Sequence, residues 1–189
     1  MNNKAKILVI GAPSGSGKST LAHYIIENHD KFEFSVSATT REPREGELDG
    51  KDYHFLSIDE FKGKIENGEF LEWEEVYPGR FYGTLYDEVN RILLNNKYVV
   101  FDMDVVGGIN VKKIYEEDCV NVFLKAPTKE EYLRRLSNRG TETPETLSIR
   151  LEKIEKELEY ELHYDYSIVN DNIVGTKKLI DLIIKHYFL

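Results

Sequence analysis

Apolar residues occur along the chain in short, nearly continuous runs that alternate with segments of mixed polarity. Five runs are rich in β-branched and aromatic residues, at 6–10, 34–37, 98–103, 120–125 and 166–169. Continuous apolar character is typical of strands that are buried on both faces of a parallel sheet. The pattern therefore predicts five parallel strands.

Between these runs, apolar residues recur at helical spacing. Three such segments are marked by Leu21 with Ile25, Tyr132 with Leu136, and Leu179 with Ile183. The second of them is preceded by Thr128 and Glu131, which match a capping box. Strands that alternate with helices predict a doubly wound α/β fold, whose ligands bind beyond the carboxyl ends of the strands.

One long stretch, residues 38–86, interrupts the alternation. It carries turn signals at Asp49-Gly50 and at Pro78-Gly79, and a capping box, Ser57-x-x-Glu60, that opens a short helix. Short aromatic strands flank that helix. We expect an inserted lobe of mixed α and β structure.

A second stretch, residues 137–157, is charged and contains Gly140 and Pro144. We expect it to form a mobile helical lid with few apolar anchors. The sequence thus predicts one domain, 1–189, with a core of residues 1–37, 87–136 and 158–189.

Length and composition narrow the functional classes. The chain has 189 residues, of which 41% are hydrophobic and 31% charged, and a formal net charge of −9. An acidic protein is a poor partner for nucleic acids or membrane surfaces, because both are polyanions. No apolar run has the roughly 18 residues of a membrane span, and no signal-peptide pattern opens the chain. We therefore expect a cytoplasmic protein, and a buried structural thiol at the single Cys119.

The first candidate site follows the first apolar run directly. Its residues are Ala12, Pro13, Ser14, Gly15, Ser16, Gly17, Lys18, Ser19 and Thr20. Glycines let the backbone N–H groups curl around a phosphate, and the N-terminus of the following helix favours the same anion. Lys18 supplies a cation for the outer phosphates, and Ser19 a hydroxyl for Mg²⁺. This pattern predicts an ATP-type site, although the usual opening glycine is Ala12; the alternative is a glycine-rich turn with a chance Lys-Ser.

Arginines form two local groups, which is notable in an acidic chain. Arg41 and Arg44 lie in a segment rich in turn residues, and the second group comprises Arg134, Arg135, Arg139 and Arg150. Two cationic groups suggest a small anionic substrate that is gripped from two sides. Solvated arginines on helix faces are the alternative, above all for Arg134.

The segment between Ser37 and Thr84 indicates what the anion is. Arginine forks and tyrosine hydroxyls suit a phosphate monoester, and a carboxylate such as Glu72 suits a base with paired N–H donors, as guanine has and adenine lacks. Spacing alone favours the alternative, that Glu72 is a solvent-facing acid in an acidic run.

A longer string reverses this preference for Glu72 by resemblance. The segment Ser35-Val36-Ser37-Ala38-Thr39-Thr40-Arg41-x-Pro43-Arg44-x-Gly46-Glu47-x-x-Gly50-x-x-Tyr53-x-Phe55 resembles the signature of guanylate kinases. So do Phe70-Leu71-Glu72, Tyr82-Gly83-Thr84, Asp102-x-Asp104, Arg139-Gly140-Thr141 and Ile168-Val169-Asn170-Asp171. The resemblance covers nearly the whole chain. It implies a P-loop NTPase core with a parallel five-stranded sheet, a GMP-binding lobe and a lid.

The resemblance also implies a role for each matching residue. The GMP phosphate would be held by Arg41, Arg44, Tyr53 and Tyr82, and guanine by Ser37, Glu72, Thr84 and Asp104. Asp102 would help hold Mg²⁺ through water. The ATP side would be completed by Arg135, Arg139, Arg150 and Asn170, with Asn170 near adenine and Lys18, Arg41, Arg139 and Arg150 stabilising the transferred group.

Two positions depart from the family pattern. Val106 stands where the family usually has Gln, and the loop before Tyr82, residues 76–81, is one residue longer.

The implied activity is Mg²⁺-dependent phosphorylation of GMP and dGMP by ATP, in a monomer or homodimer. Two rivals remain at this stage. One is a related kinase for another phosphorylated small molecule, such as a ribose bisphosphate. The other is an inactive relative that binds phosphorylated peptides through the same arginines and tyrosines. An intact P-loop with Lys18 and Ser19 weighs against the second.

Overall fold

A computed structural model describes residues 5–138 and 144–189, with the backbone alone at 144 and 145. Its elements, in chain order, are β1 Ile7–Gly11, α1 Lys18–Asn28, β2 Phe32–Phe34, β3 Ala38–Thr39, β4 His54–Phe55, α2 Ile58–Glu66, β5 Phe70–Tyr77, β6 Arg80–Leu85, α3 Tyr86–Leu94, β7 Tyr98–Met103, α4 Val105–Tyr115, β8 Cys119–Lys125, α5 Lys129–Ser137, α6 Pro144–Leu158, β9 Tyr166–Val169 and α7 Ile173–Tyr187. Short 3₁₀ turns at Glu116–Asp118 and Glu159–His163 precede β8 and β9. No helix in this described part of the chain is long and apolar enough to span a membrane.

The strands of the main sheet lie in the order β2-β7-β1-β8-β9. The sheet is parallel. Strand β1 pairs with β8, with Ile7 opposite Cys119 and Gly11 opposite Phe123, and β8 pairs in parallel with β9. Every residue of β1 is buried, as its continuous apolar run predicts. The predicted α/β fold with a five-stranded parallel sheet is confirmed.

One predicted strand is misplaced. The run at 34–37 predicts a strand there, but β2 spans Phe32–Phe34. The reason is that the backbone after β2 pairs with a different strand. Ser37 O accepts a hydrogen bond from His54 N at 2.9 Å, next to the pairing of β3 with β4. Residues after Phe34 therefore pair elsewhere than in the main sheet.

The chain forms two compact units. The first comprises Met1–Asp30 and Val100–Leu189, and the second Lys31–Val99. The predicted lobe, residues 38–86, lies within the second unit, and the predicted division into core, lobe and lid stays a prediction.

The second unit contains a four-stranded sheet in the order β4-β3-β6-β5. β5 and β6 form an antiparallel hairpin whose turn is Pro78-Gly79, with Gly79 at φ 75°. The Ser57–Glu60 capping box is confirmed, because each side chain bonds the other residue's backbone N–H. Beneath the sheet, Phe61 stacks on Phe70 with 4.3 Å between ring centroids. This aromatic core supports the strands that carry the acceptor-site candidates.

Helix α6 is better anchored than the charged sequence suggests. Helix α6 contributes Leu147, Leu151, Ile154 and Leu158 to an apolar cluster. The other members of the cluster are Tyr132 and Leu136 of α5, and Ala126, which precedes α5. The four residues of α6 lie at helical spacing, so they form one apolar stripe. The expectation of few apolar anchors in residues 137–157 is therefore wrong for the helix itself.

Two isoleucines of α6 offer a matched test of this packing. Ile154 is 3% exposed and Ile149 is 67% exposed. We expect Ile154→Ala to lower the free energy of unfolding by about 2–4 kcal/mol, because it leaves a cavity against α5. Ile149→Ala should change it by less than about 0.5 kcal/mol. Urea unfolding measures both, and equal effects would mean that α6 is not packed through this stripe.

Candidate active site

The glycine-rich loop joins the end of β1 to the start of α1. Gly15 and Gly17 have φ values of 89° and 92°, a region that L residues rarely adopt. Among the described residues, only Asn96 and Glu116 have a positive φ without being glycine. Ala12 therefore has an ordinary backbone, as expected, and the loop retains glycine at the two positions where the conformation requires it.

Helix α1 begins at Lys18, directly after Gly17 as its N-cap residue. The N-terminus of an α-helix carries unpaired N–H groups and a partial positive charge, which favour an anion. The Lys18 ammonium forms an ion pair with the Asp102 carboxylate at the end of β7, and both side chains are mostly buried. The fold thus brings together the predicted phosphate-binding lysine and one predicted metal-site carboxylate.

Ser19 and Asp102 supply a hydroxyl and a carboxylate oxygen, which are the hard ligands that Mg²⁺ prefers. In residues 5–138 and 144–189, no three His, Cys, Asp or Glu side chains form a group that could hold a metal ion. A small oxygen donor set suits Mg²⁺, which usually keeps several waters and binds substrate phosphates. The donor chemistry of Ser19 and Asp102 therefore fits the predicted ion, and its binding stays a prediction.

The back of the loop is held by two side chains from distant parts of the sequence. Arg135 donates to Gly15 O at 3.5 Å, to Ser16 O at 3.3 Å and to Asn170 O at 2.7 Å. Asn170 Nδ2 donates to Ser16 O at 2.8 Å. Both were predicted on the ATP side, and the structure places both against the main chain of the loop.

The amide of Asn170 is engaged at both ends. Its Oδ1 accepts a hydrogen bond from Thr176 Oγ1 at 3.0 Å, and a Cβ added to Gly17 would lie 2.4 Å from its Nδ2. The residue is 5% exposed. Its contacts are thus with the phosphate loop and α7, and a contact with adenine stays a prediction.

Tyr132 also holds the glycine-rich loop, although its spacing in the sequence predicts only a position on a helix face. Its hydroxyl accepts hydrogen bonds from Ser16 Oγ at 3.2 Å and from Ala126 N at 3.0 Å. The apolar spacing with Leu136 predicts a buried position, but no sequence signal points to Ser16. This contact ties the loop to the segment between β8 and α5.

In the second unit, Arg41 is held by the carboxylate of Glu47, for which the sequence predicts no role. Glu47 accepts two hydrogen bonds from the Arg41 guanidinium, at 2.8 and 2.9 Å, and a third from Arg44 N at 2.7 Å. This pairing lowers the pKa of Glu47 and raises that of Arg41. Its signal was present in the quoted string, as the acid three residues after Arg44.

The two predicted tyrosines lie around the same arginine. The Arg41 guanidinium lies 5.3 Å from the ring centroid of Tyr53, and Tyr53 meets Tyr82 edge-on at 6.1 Å. Burial, followed by the nearby Tyr82, raises the pKa of Tyr53. Its hydroxyl therefore stays protonated at neutral pH and can donate a hydrogen bond. The structure brings together three of the four residues predicted to hold a phosphate; Arg44, the fourth, is exposed.

Glu72 and Thr84 lie opposite each other on the β5–β6 hairpin. Thr84 Oγ1 donates to Glu72 Oε1 at 2.8 Å, and Thr84 is 1% exposed. Glu72 is half-buried. The reading of Glu72 as a merely solvent-facing acid is therefore not supported, because a buried hydroxyl orients its carboxylate.

The remaining predicted residues are placed as follows. Asp104 is the N-cap of α4, and its Oδ1 accepts hydrogen bonds from Val106 N at 2.8 Å and Gly107 N at 2.9 Å. Ser37 lies just before β3 and is half-buried, as is Arg150 in α6. Arg139 lies outside the described residues.

Two further side chains have structural surroundings. Arg134 is 63% exposed and pairs with Glu131 on its own helix, which supports the solvated alternative. Cys119 is buried, and burial raises the pKa of its thiol to about 12, so it is not a nucleophile at neutral pH.

A strand, a glycine loop and a helix at the carboxyl edge of a parallel sheet, with a part-buried Lys–Asp pair beside the loop, define a P-loop nucleotide-binding protein. Residues 4–187 match the family model described as guanylate kinase. The chain belongs to the guanylate kinase family, and this match supports the predicted enzyme, a guanylate kinase.

Similar proteins agree with this assignment. A guanylate kinase of Bacteroides fragilis is 46% identical over 184 residues, which is 97% of this chain and 90% of that protein. One of Clostridium perfringens is 43% identical over 97% of this chain and 84% of the relative. A crystal structure of guanylate kinase from Anaplasma phagocytophilum superposes with a TM-score of 0.77 at 31% identity, and covers 99% of this chain and 88% of that one.

The support behind the loop generates a testable prediction. Asn170→Asp replaces the donor to Ser16 O by an oxygen, while the acceptor for Thr176 remains. We expect the KM for ATP to rise by about tenfold, since two acceptors would face each other. ATP-dependent turnover at saturating acceptor measures the change.

The matched control is Asn172→Asp. Asn172 caps α7 by accepting from Val174 N at 2.9 Å, and aspartate preserves that acceptor. Its KM for ATP should stay within about twofold of the parent value. An equal increase in both variants would assign the effect to the added negative charge and not to the hydrogen bond.

Proposed function

We propose that this protein transfers the γ-phosphoryl group of ATP to GMP, and more weakly to dGMP, in a Mg²⁺-dependent reaction that yields ADP and GDP. The observation that carries the proposal is the Thr84-oriented carboxylate of Glu72, on the same sheet as Tyr82, which lies beside Tyr53. Tyr82 and Thr84 are two residues apart on β6 and share one face of the strand. One face of the second unit therefore offers groups for both a phosphate and a base.

The base end favours guanine on chemical grounds. Guanine presents N1–H and its 2-amino group side by side, and a carboxylate has acceptor capacity for both. Adenine has no such donor pair, so its binding would offer no paired donors to the half-buried Glu72 carboxylate. A site built to accept hydrogen bonds can reject an analogue that lacks the donors by a factor of about 10⁴. Ser37 and Asp104 are the further predicted contacts.

The phosphate end requires cations in fixed positions. Glu47 holds the Arg41 guanidinium through two hydrogen bonds, so the arginine loses little side-chain freedom when an anion binds. Tyr53 and Tyr82 add hydroxyl groups beside it. Charge-assisted hydrogen bonds from such groups are about twice as strong as neutral ones.

The donor side would act by alignment and charge. The glycine loop would bind the ATP phosphates through its N–H groups, and Lys18 would neutralise the outer ones. Ser19 and Asp102 would hold Mg²⁺, which supplies a divalent charge against the phosphate oxygens when bound. Arg139 and Arg150 are predicted to stabilise the transferred group. No strong base is needed, because the attacking phosphate oxygen of GMP is already anionic near neutral pH.

Further properties stay predictions from the sequence. These are a cytoplasmic location, a monomeric or homodimeric state, and a mobile lid in residues 137–157. A kinase for a ribose bisphosphate and a peptide-binding relative are the alternatives to test.

A coupled assay of ADP release across a panel of acceptors tests the proposal. We expect GMP to be the preferred acceptor and dGMP a weaker one, with AMP below about 1% of the kcat/KM for GMP. CMP, UMP and a ribose bisphosphate should also be poor. Chelation of Mg²⁺ should abolish turnover. Equal use of AMP and GMP would contradict base recognition, and binding of ATP and GMP without ADP release would favour the binding-module alternative.

Glu72→Gln isolates the base contact. The amide can still accept from Thr84, but it then turns a donor towards the donors of guanine. We expect kcat/KM for GMP to fall by about 100-fold or more. The control is Glu74→Gln, the same change at an exposed residue of the same strand, which should stay within about threefold. If kcat/KM of Glu72→Gln for GMP stays within about threefold of the parent value, Glu72 does not recognise guanine.

A further inference from the structure

Tyr164 makes a part-buried contact that the proposed chemistry does not use. It follows the 3₁₀ turn Glu159–His163, and its hydroxyl donates a 2.8 Å hydrogen bond to Val105 O. Val105 is the first residue of α4. The ring of Tyr164 meets Phe123 of β8 edge-on, with 5.2 Å between centroids. The side chain therefore reaches from the segment before β9 to the backbone at the start of α4.

Two glycines make room for this hydroxyl. A Cβ on Gly11 would lie 2.0 Å from Tyr164 Oη, and a Cβ on Gly108 would lie 2.4 Å from it. Neither glycine has a positive φ. Glycine is thus required here by the close approach of a side chain and not by backbone conformation. The hydroxyl lies between the last residue of β1 and the first turn of α4.

The first turn of α4 has a weak intrinsic preference for helix. It opens with two valines and continues with Gly107 and Gly108, and β-branched residues and glycine are poor helix formers. Asp104 caps this turn through Val106 N and Gly107 N. The direction of the Asp104 carboxylate is therefore coupled to the position of a turn that needs tertiary support.

We propose that Tyr164 is a positioning residue for the acceptor nucleotide: by anchoring Val105 O, its hydroxyl fixes the first turn of α4 and the Asp104 carboxylate on it. The inference rests on the proposed function, in which Asp104 contacts guanine. Burial, followed by the charge of Asp104, raises the pKa of Tyr164. The hydroxyl therefore remains protonated and able to donate to Val105 O throughout the working pH range.

Tyr164→Phe removes the hydroxyl and keeps the ring against Phe123. We expect the KM for GMP to rise by about fivefold, while kcat and the KM for ATP stay within about twofold. The control is Tyr166→Phe, which removes a 2.7 Å hydrogen bond to Tyr187 Oη in the same unit and should leave all three constants within about twofold. A lower melting temperature for Tyr164→Phe, with both KM values at the parental level, would show a merely structural role and overturn the proposal.

A double-mutant cycle tests the route through Asp104. Asp104→Asn keeps an acceptor for the helix cap but changes the group that would face guanine, so it should raise the KM for GMP by itself. Adding Tyr164→Phe should then raise that KM by less than about 1.5-fold. Independent, multiplying effects would overturn the route, as would a parental KM for GMP in Asp104→Asn.

Activity of the parent enzyme on GMP distinguishes a failure of the proposed function from a failure of the inference about Tyr164. A parent that does not phosphorylate GMP rejects the proposed function and the inference with it. A parent that phosphorylates GMP, together with a Tyr164→Phe variant whose KM for GMP is unchanged, rejects the inference alone.

Discussion

A loop that directs its backbone N–H groups at an anion must find donors for its carbonyl groups, and this constraint organises the first unit. Gly15 O and Ser16 O receive hydrogen bonds from Arg135 and Asn170. These donors come from α5 and from the end of β9, so both elements must be in place before the loop has one shape. The parallel register of β1, β8 and β9 brings them there. The shape of the phosphate loop therefore depends on the neighbouring strands and helices of the sheet edge as well as on its nine-residue motif.

The second unit follows a related principle with charged side chains. Two of the groups proposed to meet the acceptor are already oriented by an internal partner: Arg41 by Glu47, and Glu72 by Thr84. Long side chains lose conformational freedom on binding, and internal partners remove part of that loss beforehand. A site arranged in this way discriminates between ligands by hydrogen-bonding geometry more than by buried area.

Glycines serve two separate purposes around the phosphate loop. Gly15 and Gly17 have positive φ values, so their requirement is conformational and can be read from a local motif. Gly11 and Gly108 have ordinary φ values and are needed because Tyr164 approaches both. Nothing in the spacing of the second pair predicts a tyrosine more than fifty residues away. The family resemblance implies which residues face the ligands, but it gave no role to Glu47, Tyr132 or Tyr164, which hold other residues in place.

Local chemistry was sufficient for the features that the sequence determined. Continuous apolar runs located β7 and β9 with their observed bounds, and the capping box at Ser57 started α2 where predicted, because periodicity and capping act over a few residues. Strand β2 and the contacts of Tyr132 and Asn170 were decided by the tertiary structure. Each of these depends on which strands become neighbours and in what register, and strand order is set by the packing of the complete chain. Tyr132 and Asn170 lie more than one hundred residues from Ser16, a separation over which no local pattern carries information.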